Sequence, residues 1–176
     1  MSFTVAEVRS ILARTPATLD AWLRGLDDAW LDCDDGPETW TPRQVVAHLL
    51  HGERTDWIPR VRHLLEHGTT RPFVPFDRTA HLRDARPIDA LLDDFAGART
   101  ASLEALDRIT DLPLERRGLH PDLGEVTLAQ LLATWTAHDL GHIVQIARTM
   151  ARRYASDTGP WARYLSVMAG VPGAAW

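Results

Sequence analysis

Lysine is absent from this sequence, and cysteine occurs only once. All 19 basic residues are arginine, against 24 acidic residues, which leaves a formal net charge of −5. A chain with this charge offers no polybasic surface, so we expect neither nucleic-acid binding nor a membrane-surface role. Cys33 has no partner for an intramolecular disulfide, so the sequence contains no sign of an oxidising compartment.

Long apolar runs are also missing. The N-terminal segment "MSFTVAEVRSILARTPATL" carries charges throughout, which is typical of neither a signal peptide nor a membrane span. We therefore expect a cytoplasmic protein. With 176 residues, of which 45% are hydrophobic and 24% charged, the chain has the size and composition of one soluble domain, placed at residues 1–176.

Helical periodicity dominates the sequence, and no strand is predicted. Two helices begin with a capping box, in which Thr41 pairs with Gln44 and Thr127 pairs with Gln130. Four long helices are predicted: Thr4 to Trp30 with a bend at Pro16, Thr41 to His67 with a kink at Pro59, Ile88 to Asp111, and Thr127 to Tyr154.

The connections complete the predicted architecture. "TTRPFVPFDRTAH" and "LPLERRGLHPDLGEV" predict long loops between helices 2 and 3 and between helices 3 and 4, and "GPWARYLSVM" predicts a short C-terminal fifth helix. The fold class is therefore all-α, a four-helix bundle. Tryptophans at helical spacing are expected to be core anchors: Trp30, Trp40, Trp57, Trp135 and Trp161.

Histidines interrupt the apolar faces of two helices. His138 and His142, in "HDLGHIVQIAR", share a helix stripe with Leu131 and Trp135 and therefore face the bundle interior. Their Cβ atoms would lie about 5 to 6 Å apart, close enough for both rings to bind one metal ion. His48 occupies the apolar stripe of "VVAHLLHGERTDW". These three histidines predict a metal site with an open position for water or substrate.

Three carboxylates are candidate catalytic residues beside this site. Glu53 and Asp56 follow His48 on the second helix and could orient ligands or act as a general base, although charged helix positions are also typical of a solvated face. Asp77, in "PFDR", is interpreted either as a group at the mouth of the site or as a turn residue paired with Arg78.

The remaining histidines have weaker patterns. His51 lies three residues after His48, where it could be a fourth ligand, a hydrogen-bond partner of a ligand or a residue at the rim. Four others lie near helix ends or in loops, where solvated side chains are expected: His63, His67, His81 and His120. A metalloprotease is not predicted, because the HExxH motif needs a glutamate where this chain has Asp139.

The chain resembles the DinB/YfiT-like superfamily of four-helix metalloproteins from about Trp40 to Leu165. The resemblance is carried by "WTPRQVVAHLLHGERTDWI", "PFDR", "HPDLGEVTLAQLLATWTAHDLGHIVQIAR" and "GPWARYLSVM". In that family, one histidine of the second helix and two of the fourth hold a divalent metal ion, usually zinc or nickel. The resemblance assigns those positions to His48, His138 and His142, and it implies a homodimer.

The resemblance also bears on activity, since members of the family include hydrolases and transferases or isomerases that use thiols such as bacillithiol or mycothiol. We expect a metal-dependent enzyme that activates a thiol or water for transfer to, or hydrolysis of, a small molecule, inside a pocket walled by "TTRPFVPFDRTAH". Two alternatives stay open. One is a noncatalytic stress-response or partner-binding dimer with structural histidines or metal. The other is a metal-free core in which Gln145, Thr149, the backbone or water satisfy the histidines.

Overall fold

The computed structural model describes residues 4–169 and contains seven α-helices and one β-hairpin within them. Three short 3₁₀ turns lie at Ala80–Arg83, Gly159–Tyr164 and Ser166–Met168. In chain order the helices and strands are α1 (Val5–Leu12), α2 (Thr15–Leu23), α3 (Asp28–Leu31), α4 (Pro42–Thr55), α5 (Trp57–His67), α6 (Ile88–Asp107), β1 (Arg117–His120), β2 (Gly124–Thr127) and α7 (Leu128–Arg152).

The long helices form a bundle of four members, in which α1 with α2, and α4 with α5, each act as one member. Helix α4 packs against α6 and α7, α2 packs against α6, and α1 packs against α7. The predicted all-α four-helix bundle is confirmed. Within residues 4–169, none of the helices is both long enough and apolar enough to cross a membrane.

Both predicted capping boxes are present, and they begin the two helices that carry the candidate metal ligands. At α4, the Gln44 N–H donates to Thr41 Oγ1 at 3.2 Å, and the Thr41 N–H donates to Gln44 Oε1 at 3.0 Å. At α7, Thr127 and Gln130 exchange the same pair of bonds at 3.1 and 2.8 Å. These bonds satisfy backbone donors that have no intrahelical partner, and so define where each helix begins.

Two predicted helices are divided rather than bent. The second divides at Asp56, whose φ and ψ of −116° and −66° depart from helical values. Pro59 explains the break, because it has no N–H for the Thr55 carbonyl and its ring crowds that carbonyl. The first predicted helix becomes α1, α2 and α3, and Pro16 lies in the first turn of α2, where its missing N–H is tolerated.

The loop between α6 and α7 contains structure that the sequence did not predict. Strands β1 and β2 pair antiparallel, with Gly118 opposite Val126, and Gly124 provides the positive φ of 76° that follows the turn. Each strand has four residues, too few to show an alternating pattern. The predicted fifth helix is replaced by the 3₁₀ turns at Gly159–Tyr164 and Ser166–Met168.

A polar layer divides the core into two apolar clusters. One cluster joins α2, α3 and α4 to the first half of α6 and the second half of α7, and the other joins α1 and α5 to the opposite halves. Between them lie Glu53, Arg99 and Asp139, all fully buried. Among the tryptophans, Trp135 is a core residue as predicted, whereas Trp161 is 71% exposed and corrects that expectation.

Candidate metal centre

Three histidine side chains meet in the interior between α4 and α7. His48 comes from α4, and His138 and His142 come from successive turns of α7. The Nε2 atom of His138 lies 3.1 Å from Nε2 of His48 and 3.1 Å from Nε2 of His142. One candidate ligand atom from each residue lies within 4.8 Å of the other two. We call these residues, which the sequence singles out as metal ligands, the histidine cluster.

The contacts within the histidine cluster cannot all be hydrogen bonds. Nδ1 of His142 lies 2.8 Å from the acceptor Oε1 of Gln145, so the proton of His142 is on Nδ1 and its Nε2 presents a lone pair to His138. A proton on His138 Nε2 can then form a hydrogen bond to Nε2 of His48 or to Nε2 of His142, but not to both. A cation among three lone pairs removes this conflict. Tetrahedral nitrogen ligands would be about 3.4 Å apart at normal bond lengths, so the donor set fits a divalent ion.

Burial keeps the histidine cluster neutral. Burial, together with the charge of neighbouring imidazoles, lowers the pKa of His48 to about 2. Burial and the charges of His142 and Arg99 lower the pKa of His138 to about 3. Burial also lowers the pKa of His142, against the opposing effects of its hydrogen bond to Gln145 and the charge of Asp139. The neutral imidazole is the form that binds metal ions, so the three rings are in their ligand form at neutral pH.

Aromatic side chains surround the histidine cluster. The ring centroid of Trp40 lies 4.7 Å from that of His48, and Trp57 meets His138 edge-on at 5.1 Å. Phe76, from the predicted loop wall, meets His48 edge-on at 5.6 Å. Apolar surroundings lower the local dielectric constant and so strengthen any electrostatic interaction made inside the cluster.

His81 is a functional candidate that sequence reasoning missed. It was expected to be solvated, but it is 2% exposed, because the 3₁₀ turn Ala80–Arg83 packs on α4 and places the ring against both Trp40 and His48. The centroid distances are 4.3 and 4.9 Å, both edge-on. Neither ring nitrogen has a hydrogen-bond partner among the described residues. A loop histidine has no periodicity from which burial could be inferred.

A buried ion network lies beside the histidine cluster. Arg99 of α6 binds Asp139 of α7 through two hydrogen bonds of 2.7 and 3.1 Å, and it binds Glu53 of α4 at 2.8 Å and the Leu12 carbonyl at 2.7 Å. The indole N–H of Trp135 donates to the same Glu53 oxygen at 3.0 Å. Burial opposes the charge of Arg99, but its carboxylate partners outweigh that effect and raise its pKa. We call Glu53, Arg99 and Asp139 the Arg99 network.

The Arg99 network bears on two sequence interpretations. Glu53, a candidate catalytic carboxylate, has one oxygen occupied by Arg99 and Trp135. Asp139, at the position of the protease glutamate, is 0% exposed and paired with Arg99. Both of its oxygens are occupied by Arg99 in the core.

Asp56 lies at the junction of α4 and α5, away from the Arg99 network. Its carboxylate is buried and forms an ion pair of 2.6 Å with Nε of Arg60. Burial raises the pKa of Asp56, and the charges of Arg60, His120 and His51 oppose that rise. His51 is partly exposed, stands 5.0 Å from the ring of Phe76, and is not part of the histidine cluster.

Asp77 acts locally as the acceptor of a turn. Its Oδ1 accepts hydrogen bonds from the Thr79 N–H and hydroxyl, both at 2.9 Å, and from the Ala80 N–H at 3.0 Å, and these bonds lower the pKa of Asp77. This carboxylate forms an ion pair of 3.9 Å with Arg83, rather than with the adjacent Arg78. Asp77 thus stabilises the turn that inserts a histidine beside the cluster.

The comparison with protein families matches the DinB superfamily over residues 11–146. The match spans most of the chain, and the protein belongs to this superfamily. The solved structure of YfiT from Bacillus subtilis, described as "a probable metal-dependent hydrolase with an unusual four-helix bundle topology", shares the fold. Its TM-score is 0.74 at 24% sequence identity, and the alignment covers 86% of this chain and 90% of that chain.

Several curated relatives come from the genus Bacillus. A protein of Bacillus cereus strain AH820 named "Putative metal-dependent hydrolase" is 27% identical over 138 residues, which is 78% of this chain and 80% of the relative. A protein of Bacillus mycoides strain KBAB4 that carries the same name is 25% identical over an equal length. The family and fold expected from the resemblance are thereby confirmed.

Proposed function

We propose that this protein is a metal-dependent enzyme that acts on a small-molecule substrate, with His48, His138 and His142 as the ligands of a divalent ion. The observation that carries the proposal is the convergence of three neutral ring nitrogens whose contacts cannot all be hydrogen bonds. When bound, such an ion acts as a Lewis acid and lowers the pKa of a water or thiol at its open position. Zinc and nickel are the ions to test first, because imidazole suits both.

The residues around the histidine cluster have separate roles in this proposal. Gln145 fixes the tautomer and orientation of His142 through its hydrogen bond to Nδ1. Trp40 and Phe76 exclude water from the ligand nitrogens. Glu53 positions α4 against α7 through Arg99 and Trp135, a role that its two hydrogen bonds favour over that of a free base.

Asp56 is the better candidate for moving a proton among the three carboxylates. Its raised pKa brings it closer to neutral pH, and its Arg60 partner and His51 lie at the end of α4 that Phe76 covers. Asp77 supports the loop wall rather than the chemistry, because its Oδ1 already accepts three hydrogen bonds.

Hydrolysis is the reaction class to test first, since the curated relatives carry that function in their names. Transfer of a low-molecular-weight thiol is the second class, because the same centre would activate a thiol by the same effect on its pKa. A homodimer is part of the proposal, and light scattering of the purified protein tests it: twice the chain mass is expected, and the mass of one chain would contradict it.

The enzyme proposal is tested on metal-free, zinc-loaded and nickel-loaded protein with ester and amide substrates, and with a chromogenic electrophile plus bacillithiol or mycothiol. We expect turnover by loaded protein that a chelator removes and the ion restores. His138→Ala should be inactive and His67→Ala, at the end of α5, fully active. Turnover that survives chelation would contradict the proposal, as would a loaded centre that is inert and spectroscopically closed by a fourth protein ligand.

A further inference from the structure

A fourth histidine shares the environment of the histidine cluster without belonging to it. His81 comes from the α5–α6 connection, its ring packs edge-on against His48, and Trp40 packs against both rings. It is not a member of the group whose ligand atoms converge. The side chain is therefore next to the centre but outside its set of protein ligands.

The ring of His81 has unused hydrogen-bonding capacity. It is 2% exposed, and both ring nitrogens are buried without a partner in the part of the chain that the structure describes. A neutral imidazole has one N–H donor and one acceptor nitrogen, and buried groups of this kind are almost always satisfied in native proteins. Its aromatic neighbours Trp40 and His48 pack edge-on against the ring and do not hydrogen-bond its nitrogens.

Hydrogen bonds of the surrounding turn hold His81 in position. Asp77 accepts three hydrogen bonds from the residues just before it, and the Asp84 N–H donates to the His81 carbonyl at 3.0 Å. This turn packs against α4, the helix that carries His48. The loop thus holds one polar side chain beside the centre, in contact with the ring of a candidate ligand.

We infer that His81 is a substrate-binding residue, which hydrogen-bonds the exogenous group held at the open position of the metal centre. The inference rests on the proposed function. The ring N–H of His81 would donate a hydrogen bond to an acceptor atom of the ligand. The ligand class that His81 selects is therefore an anion or a molecule with a carbonyl oxygen, such as the acyl group of an ester or amide. The ring would touch the bound molecule and leave the ion to its three ligands.

The test uses the full-length protein loaded with cobalt(II), whose visible absorption reports the coordination of the ion, and azide as the anionic probe. His81→Phe keeps an aromatic ring and removes the hydrogen bonds, whereas His81→Gln keeps a donor and an acceptor. We expect one cobalt per chain and an unchanged spectrum without azide in both variants. The dissociation constant for azide should rise about tenfold in His81→Phe, a loss of about one hydrogen bond, and recover at least in part in His81→Gln.

His67→Phe is the matched control, since it makes the same exchange at a half-buried histidine of α5, and it should leave azide binding unchanged. Equal azide affinity in wild type and His81→Phe would overturn the inference while leaving the proposed function intact. Loss of cobalt, or a changed azide-free spectrum, in both folded His81 variants would also overturn it, because His81 would then be a fourth ligand. Wild-type protein that binds no cobalt would instead refute the proposed function on which the inference rests.

Discussion

The histidine cluster and the Arg99 network are two buried polar sites that share helices α4 and α7, yet they differ in the kinds of polar group that they bring together. In the Arg99 network, opposite charges meet at hydrogen-bonding distances of 2.7 to 3.1 Å, while Oε2 of Glu53 and Nε of Arg99 have no partner among the described residues. In the histidine cluster, like nitrogens of neutral rings face one another at 3.1 Å. In the first arrangement the side chains neutralise each other's charges. In the second, the ring nitrogens cannot all be hydrogen-bonded to one another, and a bound cation would satisfy their lone pairs.

The two sites also act on each other through their charges. Asp139 follows His138 in the chain, and its charge acts on His142 in the direction that raises the pKa, whereas the charge of Arg99 acts on His138 in the direction that lowers it. The two ions of the network therefore act on the cluster in opposite directions, and neither belongs to the group of candidate ligands.

The largest effect should come from breaking the Arg99 network. Arg99→Met leaves two carboxylates buried without a counter-charge, and we expect it to lower the free energy of unfolding by about 3 to 5 kcal/mol. Urea denaturation measures this. The control is Arg108→Met on the same helix, whose ion pair with Glu104 is exposed and should matter by about 0.5 kcal/mol or less. Equal, small losses in both variants would mean that the network does not stabilise the fold.

Lowering the pH should reduce the free energy of unfolding of the metal-free protein, because the buried rings of the histidine cluster resist protonation. The folded pKa values of His48 and His138 lie below the ordinary value of about 6.5, so the unfolded chain binds more protons between these limits. The stability they contribute is present above about pH 6.5 and falls as the pH drops, by about 2 kcal/mol for each ring and about 4 kcal/mol for both between pH 7 and pH 5. Urea denaturation at several pH values tests this, and a flat profile from pH 7 to 5 would contradict it.

A smaller loss is expected from the loop that covers the cluster. Asp77→Ala removes the acceptor of three turn hydrogen bonds and should lower the midpoint of thermal unfolding, while Asp77→Asn, which keeps Oδ1, should lower it less. Thermal unfolding gives the stability and elemental analysis the metal content, which should be unchanged. Loss of metal in both variants would show that Asp77 acts on the centre itself.

The smallest stability change is expected where the loss of metal is greatest. His48→Leu replaces a buried ring that has poorly satisfied nitrogens with an apolar side chain of similar size, so the metal-free protein should change by less than about 1 kcal/mol. Metal affinity should nevertheless fall at least about 100-fold, because one of three ligands is lost. A loss of unfolding free energy in metal-free His48→Leu as large as that in Arg99→Met would contradict the expected difference between the two sites.

The two sites also differ in how far the sequence could predict them. The histidine cluster could be predicted because His48, His138 and His142 interrupt apolar stripes of regular helices, and helical spacing alone brings the last two together. The Arg99 network could not be predicted, since Glu53, Arg99 and Asp139 come from three helices and each, considered alone, resembles a solvated position. Tertiary packing alone pairs them.

The fold shows the same division. Capping boxes at Thr41 and Thr127 located the helices that carry the candidate ligands, because the bonds that begin a helix are local. The break at Asp56 was placed too late, at Pro59, since a proline disrupts the turn that precedes it. The β-hairpin and the burial of His81 depend on contacts distant in sequence, and no local pattern announced either.

The most direct test of the account is calorimetric titration of zinc into metal-free protein at pH 7, for wild type, His142→Leu and Arg108→Met. We predict one ion per chain for wild type and Arg108→Met, and binding at least about 100-fold weaker for a folded His142→Leu. Wild-type protein that binds no zinc and no nickel, or a His142→Leu variant that binds either ion as wild type does, would contradict the claim that the histidine cluster is a metal centre.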